Sequence, residues 1–163
     1  MKLFRLCSVL TACALAACLQ LHAQSSTPAA PDVWTHAGLI TQSQELVAKA
    51  RTSDGAASIK LTTYPQHFTM LAFRSKTGGA ELHAHFADVF IIEQGSATLY
   101  TGGAIVNQKA KAPGELVGTS LENANQKPLH VGDIVHIPAG TPHWLVLPKG
   151  GTLTYFVIKV KES

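Results

Sequence analysis

From Gly55 onward the chain is built of short apolar runs broken by glycine and proline. Ile59 and Leu61 alternate with polar neighbours. Phe68 to Phe73, Glu81 to His85, Val89 to Glu93, Ala97 to Tyr100, Ile134 to Ile137, Trp144 to Leu147 and Leu153 to Val160 are rich in β-branched and aromatic residues. Gly78-Gly79, Gln94-Gly95, Gly102-Gly103, Pro113-Gly114, Ala139-Gly140 and Gly150-Gly151 separate these runs. Frequent strands with tight turns and no helices between them predict an all-β antiparallel sandwich or barrel. A single short helix precedes it, with Thr41 as N-cap, Gln44 as its capping-box partner, and Leu46, Val47 and Ala50 covering one face up to Arg51. Asn107 to Lys127 is polar and weakly periodic. It reads as a long connection with one strand around Leu116 to Thr119, placed to act as a lid or specificity loop.

The first 23 residues follow a different pattern. Lys2 and Arg5 precede an apolar run from Leu6 to about Leu21, too short and too rich in small residues for a membrane span but suited to a secretory signal. Export to the periplasm or the exterior is the expectation. Cleavage after Ala23 competes with a lipobox-like Leu15-Ala16-Ala17-Cys18, which would leave a lipid anchor on Cys18. Residues 24–32, rich in Ser, Thr, Ala and Pro, form a tether, 33–55 the helical extension, and 56–163 the β-domain.

Composition narrows the classes further. With 163 residues, 46% apolar and 14% charged, the chain is one globular domain. Setting aside Lys2 and Arg5 leaves 11 of the 13 basic residues against 10 acidic ones, a balance that speaks against nucleic acid as a partner. No run in the mature chain is long enough to span a membrane. Cys7, Cys13 and Cys18 all fall in the leader, so the mature domain has neither disulfide nor thiolate ligand.

Two segments carry chemistry. In His83-Ala84-His85-Phe86-Ala87-Asp88, His83 and His85 lie two apart, on one side of an extended strand, where both imidazoles reach a common metal ion. Asp88 has the wrong parity to join them on an unbroken strand. A reversal at Phe86-Ala87 would face it back across a hairpin, with Asp88, Phe90 and Ile92 inward and Val89, Ile91 and Glu93 outward. The second segment, Gly132 to His143, bends at Pro138, Gly140 and Pro142 and delivers His143 at the start of a strand. Three imidazoles and a carboxylate, His83, His85, His143 and Asp88, would hold one divalent transition metal (Fe, Mn, Ni, Cu or Zn) with positions open for a small molecule. Phe86, Phe90, Ile92, Tyr100 and Trp144 serve equally as pocket wall or as core. His136 has the opposite parity to Val135 and Ile137, and Arg74 is either an anion-orienting group or an exposed strand end.

These two segments resemble the paired motifs of the cupin superfamily. Gly132, Pro138, Gly140 and His143 match the second motif residue for residue. His83, His85 and Gly95 match the first, with Asp88 standing where the family has glutamate. Only two residues separate His85 from Asp88, and Leu147 stands at the closing asparagine position. The resemblance, which covers roughly Ala56 to Val160, implies a double-stranded β-helix (jelly-roll) barrel, a mononuclear metal and a homodimer. It also implies a small-molecule ligand or substrate. Oxygen-dependent cleavage of a dioxygenase type, non-catalytic binding or sensing, and isomerase or lyase chemistry on sugar-like compounds are the activities it leaves open.

Overall fold

The computed structural model describes residues 30–162. The expected leader, its cleavage or lipidation site at Ala23 or Cys18, and most of the tether lie outside the described residues. Among the described residues no helix is long and apolar enough to cross a membrane.

Helix α1, His36–Arg51, starts one and a half turns earlier than its predicted cap. Thr35 is the N-cap, its hydroxyl accepting from Gly38 N at 3.1 Å, whereas Thr41 lies inside the helix and donates to Ala37 O. Leu39, Ser43, Leu46 and Ala50 form the buried stripe, at the three- and four-residue spacings of one helix face.

Thirteen strands follow: β1 Ala56–Thr63, β2 His67–Arg74, β3 Ala80–His83, β4 Phe86–Gly95, β5 Ala97–Thr101, β6 Ala104–Val106, β7 Lys109–Ala112, β8 Glu115–Gly118, β9 Ser120–Glu122, β10 Asn125–Leu129, β11 Ile134–Ile137, β12 His143–Val146 and β13 Leu153–Lys161. They form a five-stranded sheet, β1-β2-β13-β4-β11, a six-stranded sheet, β10-β5-β12-β3-β8-β7, and the small pair β6-β9. All pairings are antiparallel. This is the expected jelly roll.

The five-stranded sheet is covered on both faces, which explains why its central strands read as unbroken apolar runs. Inward, Ala72, Phe90, Ile92, Tyr155 and Val157 meet Leu99, Leu145 and Leu147 of the other sheet. Outward, Leu71, Phe73 and Phe156 pack beneath Leu39, Leu46 and Ala50 of α1. Glu93 faces outward, as its parity predicts, and binds His36 of the helix at 2.6 Å.

The polar stretch from Asn107 to Lys127 is not a free lid. It holds β7, β8, β9 and the start of β10, because β8 finds a complete antiparallel partner in β3. The Pro113-Gly114 turn of the β7–β8 hairpin, with Gly114 at φ +76°, is held by Ala84 N donating to Gly114 O at 2.7 Å.

Leu46 is 1% exposed and anchors α1 to the sheet. Leu46→Ala is expected to lower the unfolding free energy by about 2–5 kcal/mol, read from urea denaturation; a loss below roughly 1 kcal/mol would show that the helix contributes little to the barrel.

Candidate metal centre

The site is assembled by cross-strand register. Glu81 and His83 are two apart on β3 and share a face; Glu81 lies opposite His143 of β12, and His83 lies opposite Glu115 of β8. The ligand atoms of Glu81, His83 and His143 lie within 4.8 Å of one another. Asp88 comes from β4 of the facing sheet and points inward as expected, but the chain turns at Ala84-His85, not at Phe86-Ala87, and crosses to the other sheet instead of forming a hairpin. Asp88 is 2% exposed, and its Oδ2 is 3.5 Å from both His83 Nε2 and His143 Nε2.

The turn between β11 and β12 is tied to this cluster by the backbone: Gly140 N donates to His83 O at 2.8 Å, joining the two sequence motifs. Gly140 has φ +73°, a conformation that favours glycine.

Both imidazoles are oriented from behind. His143 Nδ1 faces Thr141 O at 3.1 Å, and because a carbonyl only accepts, Nδ1 carries the proton and Nε2 presents its lone pair to the site. His83 Nδ1 is bound to Glu115 Oε2, which fixes the same tautomer in its neutral form. His83 Nε2 is buried and has no hydrogen-bond partner. A buried nitrogen without a partner costs free energy unless something else occupies its lone pair.

The carboxylates are held by cations. Lys159, directly across from Asp88 on β13, binds Oδ1 at 2.6 Å. Arg74 Nη2 is 3.5 Å from Glu81 Oε1, and Arg74 Nε donates to Tyr155 OH at 3.0 Å. Burial works to raise the pKa of Glu81, but the His83 imidazole, Arg74 and His143 outweigh it and hold the carboxyl at about 2. Burial lowers the pKa of His143, favouring the neutral ring a metal requires. For His83, burial is outweighed by Glu81, Asp88 and Glu115, so its pKa is raised and metal binding there would release a proton.

The cluster opens onto a cavity of about 600 Å³. Phe86, Phe90 and Trp144 line it, as the sequence suggested. Ile92 sits instead in the barrel core, 1% exposed, and Tyr100 packs on Trp144 with ring centroids 5.5 Å apart, behind the lining.

His85 stands apart from the three-residue cluster. The prediction of one strand through His85 gives way to a strand that ends at His83, so the two-residue rule no longer carries His85 to the same face. Its exposed ring packs against Gly114, where an added Cβ would meet His85 Cδ2 at 2.8 Å. Its place in the cluster is taken by Glu81, the residue at the same spacing on the other side of His83. His136 is exposed, in keeping with its parity. Glu81, Glu115 and Lys159 were not read from the sequence; the signal for Glu81 and Lys159 was spacing by two from His83 and from Val157.

No family model matches the chain, and no curated protein matches it. Among solved structures it is similar to DMSP lyase DddQ from Ruegeria pomeroyi DSS-3, with 15% identity, TM-score 0.48, and coverage of 66% of this chain and 47% of that one. A cupin 2 conserved barrel domain protein from Rhodopseudomonas palustris shows 17% identity, TM-score 0.46 and coverage of 64% of this chain and 60% of that one. One from Salinispora arenicola CNS-205 shows 18% identity, TM-score 0.46 and coverage of 66% and 77%. The fold is that of a cupin barrel. Its two sheets face each other, and His83, Gly140 and His143 meet at the barrel mouth. The chain spans about half the length of the lyase, 47% of it.

A carboxyl whose pKa falls from 4.5 to about 2 on folding contributes stability that is present above pH 4.5 and is lost as the pH drops towards 2. Side-chain exposure of 31% screens part of this effect. The stability gap between metal-free wild type and Glu81→Gln is therefore expected to shrink on acidification from pH 4.5 to about 2, as followed by urea titration. A gap that stays flat across the window would remove the assigned role.

Proposed function

We propose that the barrel binds one divalent transition metal through Glu81, His83, Asp88 and His143, and acts on a small organic molecule in the adjoining cavity. The observation that carries this reading is the buried Nε2 of His83, which makes no hydrogen bond and stands 3.5 Å from both Glu81 Oε2 and Asp88 Oδ2, where a second imidazole converges. The residues fit such an ion. Two donors about 2.1 Å from one ion at a tetrahedral angle lie roughly 3.4 Å apart, close to the 3.5 Å from Asp88 Oδ2 to each histidine Nε2. Both imidazoles also have the acceptor-held Nδ1 typical of metal-bound histidine.

Two histidines and two carboxylates are one carboxylate more than the two-histidine, one-carboxylate set of non-haem iron oxygenases, and on that likeness the reaction class we propose is oxygen-dependent conversion of the substrate. A bound ion of this kind would supply Lewis acidity and, if redox-active, the means of handling dioxygen. The protein's own part is positional. Glu115 and the Thr141 carbonyl aim the imidazoles, Arg74 holds Glu81, Lys159 holds one oxygen of Asp88, and Phe86, Phe90 and Trp144 line the adjoining cavity. The work of this site outside the cytoplasm, after removal of the leader, is part of the same proposal and is supported by Lys2, Arg5 and the apolar run that follows them.

Elemental analysis of the purified protein is expected to find about one metal ion per chain. His83→Ala and His143→Ala should lose it, while His85→Ala should keep it. Glu115→Gln should weaken metal affinity by about 10- to 100-fold with the fold intact. Wild type without stoichiometric metal after repletion would sink the proposal. Oxygen uptake over a panel of small phenols and diketones tests the reaction class, and ligand-induced stabilisation without uptake would point to a binding protein instead.

A further inference from the structure

The cavity holds three cationic side chains, Arg74, Lys111 and Lys159, and three carboxylates, Glu81, Asp88 and Glu115. Two of the cations are committed. Arg74 is engaged by Tyr155 and Glu81, and Lys159 by Asp88. Lys111 has no hydrogen bond or ion pair with any described residue.

Lys111 is exposed on the edge strand β7 and borders the cavity at a local irregularity. Along the β7–β8 pair the register passes from Ala110 opposite Leu116 to Ala112 opposite Glu115, which leaves Lys111 as the extra residue of a β-bulge. A bulge redirects one side chain relative to the regular alternation of its strand. Here it lies on the hairpin whose next strand begins with Glu115, the residue that orients His83. Apolar and aromatic side chains also line the cavity, among them Phe68, Phe86, Trp144 and Val157.

The three lining carboxylates and three cations balance. Resting on the metal reading above, addition of a divalent ion leaves the loaded cavity with a formal excess of two positive charges. A ligand that neutralises this excess while filling apolar walls is an organic anion. We infer that Lys111 is a specificity residue that recognises the carboxylate of a small organic ligand with an apolar or aromatic body. It binds the anionic group directly, while the metal donors keep their own partners.

The test uses the purified chain loaded with metal, with benzoate and benzamide as matched probes of nearly equal size and different charge. Isothermal titration is expected to show benzoate bound about tenfold more tightly than benzamide by wild type. In Lys111→Met the preference should fall by about fivefold, with metal content and thermal stability unchanged, and Lys111→Arg should retain it. Equal affinity for the two probes, no binding of benzoate, or an undiminished preference in Lys111→Met would overturn the inference. Failure of the metal reading is seen separately, as loss of stoichiometric metal in wild type before any probe is added.

Discussion

A carboxylate buried as deeply as Asp88 has to be neutralised within the fold, and the way this barrel does so organises its mouth. Isolated burial of an ionised carboxylate is prohibitive, so the charge has to be matched locally. Lys159 meets it from the adjacent strand, in direct register, at 2.6 Å. Lys159 is on that face because it continues the alternation of Tyr155 and Val157, so the ammonium rides on the same periodicity that packs the core. With one oxygen taken by Lys159, the other stays directed at the two imidazoles. Arg74 plays the corresponding part for Glu81, also from a central strand of the five-stranded sheet.

The two sheets therefore divide the work. The six-stranded sheet supplies Glu81, His83, Glu115 and His143 from three neighbouring strands, and the five-stranded sheet supplies Asp88 with Arg74, Lys159 and Tyr155 behind it. Helix α1 backs the second group from outside, burying Leu71, Phe73 and Phe156. The strands that carry the counter-charges are thus packed on both faces and have little freedom to move away from the site.

Much of this was legible in the chain before folding. Apolar, β-rich runs in Phe68 to Phe73 and Leu153 to Val160 marked the central strands, and the turn residues between Gly132 and His143 marked the bend that presents a histidine. The inward parity of Asp88, Phe90 and Ile92 also holds along β4, although the chain passes between sheets there and makes no hairpin. What failed to show was where strands stop and with whom they pair. Nothing in Glu81 to His85 announces that the strand ends at His83; the cause lies 30 residues away, where Gly114 O accepts the hydrogen bond of Ala84 N. The same distant hairpin brings Glu115 to His83, and its polar sequence hid it among loop residues because one face of an edge pair is solvated. Thr41 was a reasonable cap by composition, but the earlier Thr35 captures the free amide of Gly38 and so extends the helix to include Leu39.

The single extra residue in β7 has a consequence for how such a barrel can diverge. Side chains alternate strictly along a strand, so loss or gain of one residue at the bulge reverses which of them face the cavity up to the Pro113-Gly114 turn. Strand β8, paired along its whole length with β3, would keep its register and leave Glu115 in place. Insertions and deletions in this edge hairpin can therefore rewrite the lining of the cavity one side chain at a time, on a scaffold whose histidine geometry is inherited unchanged.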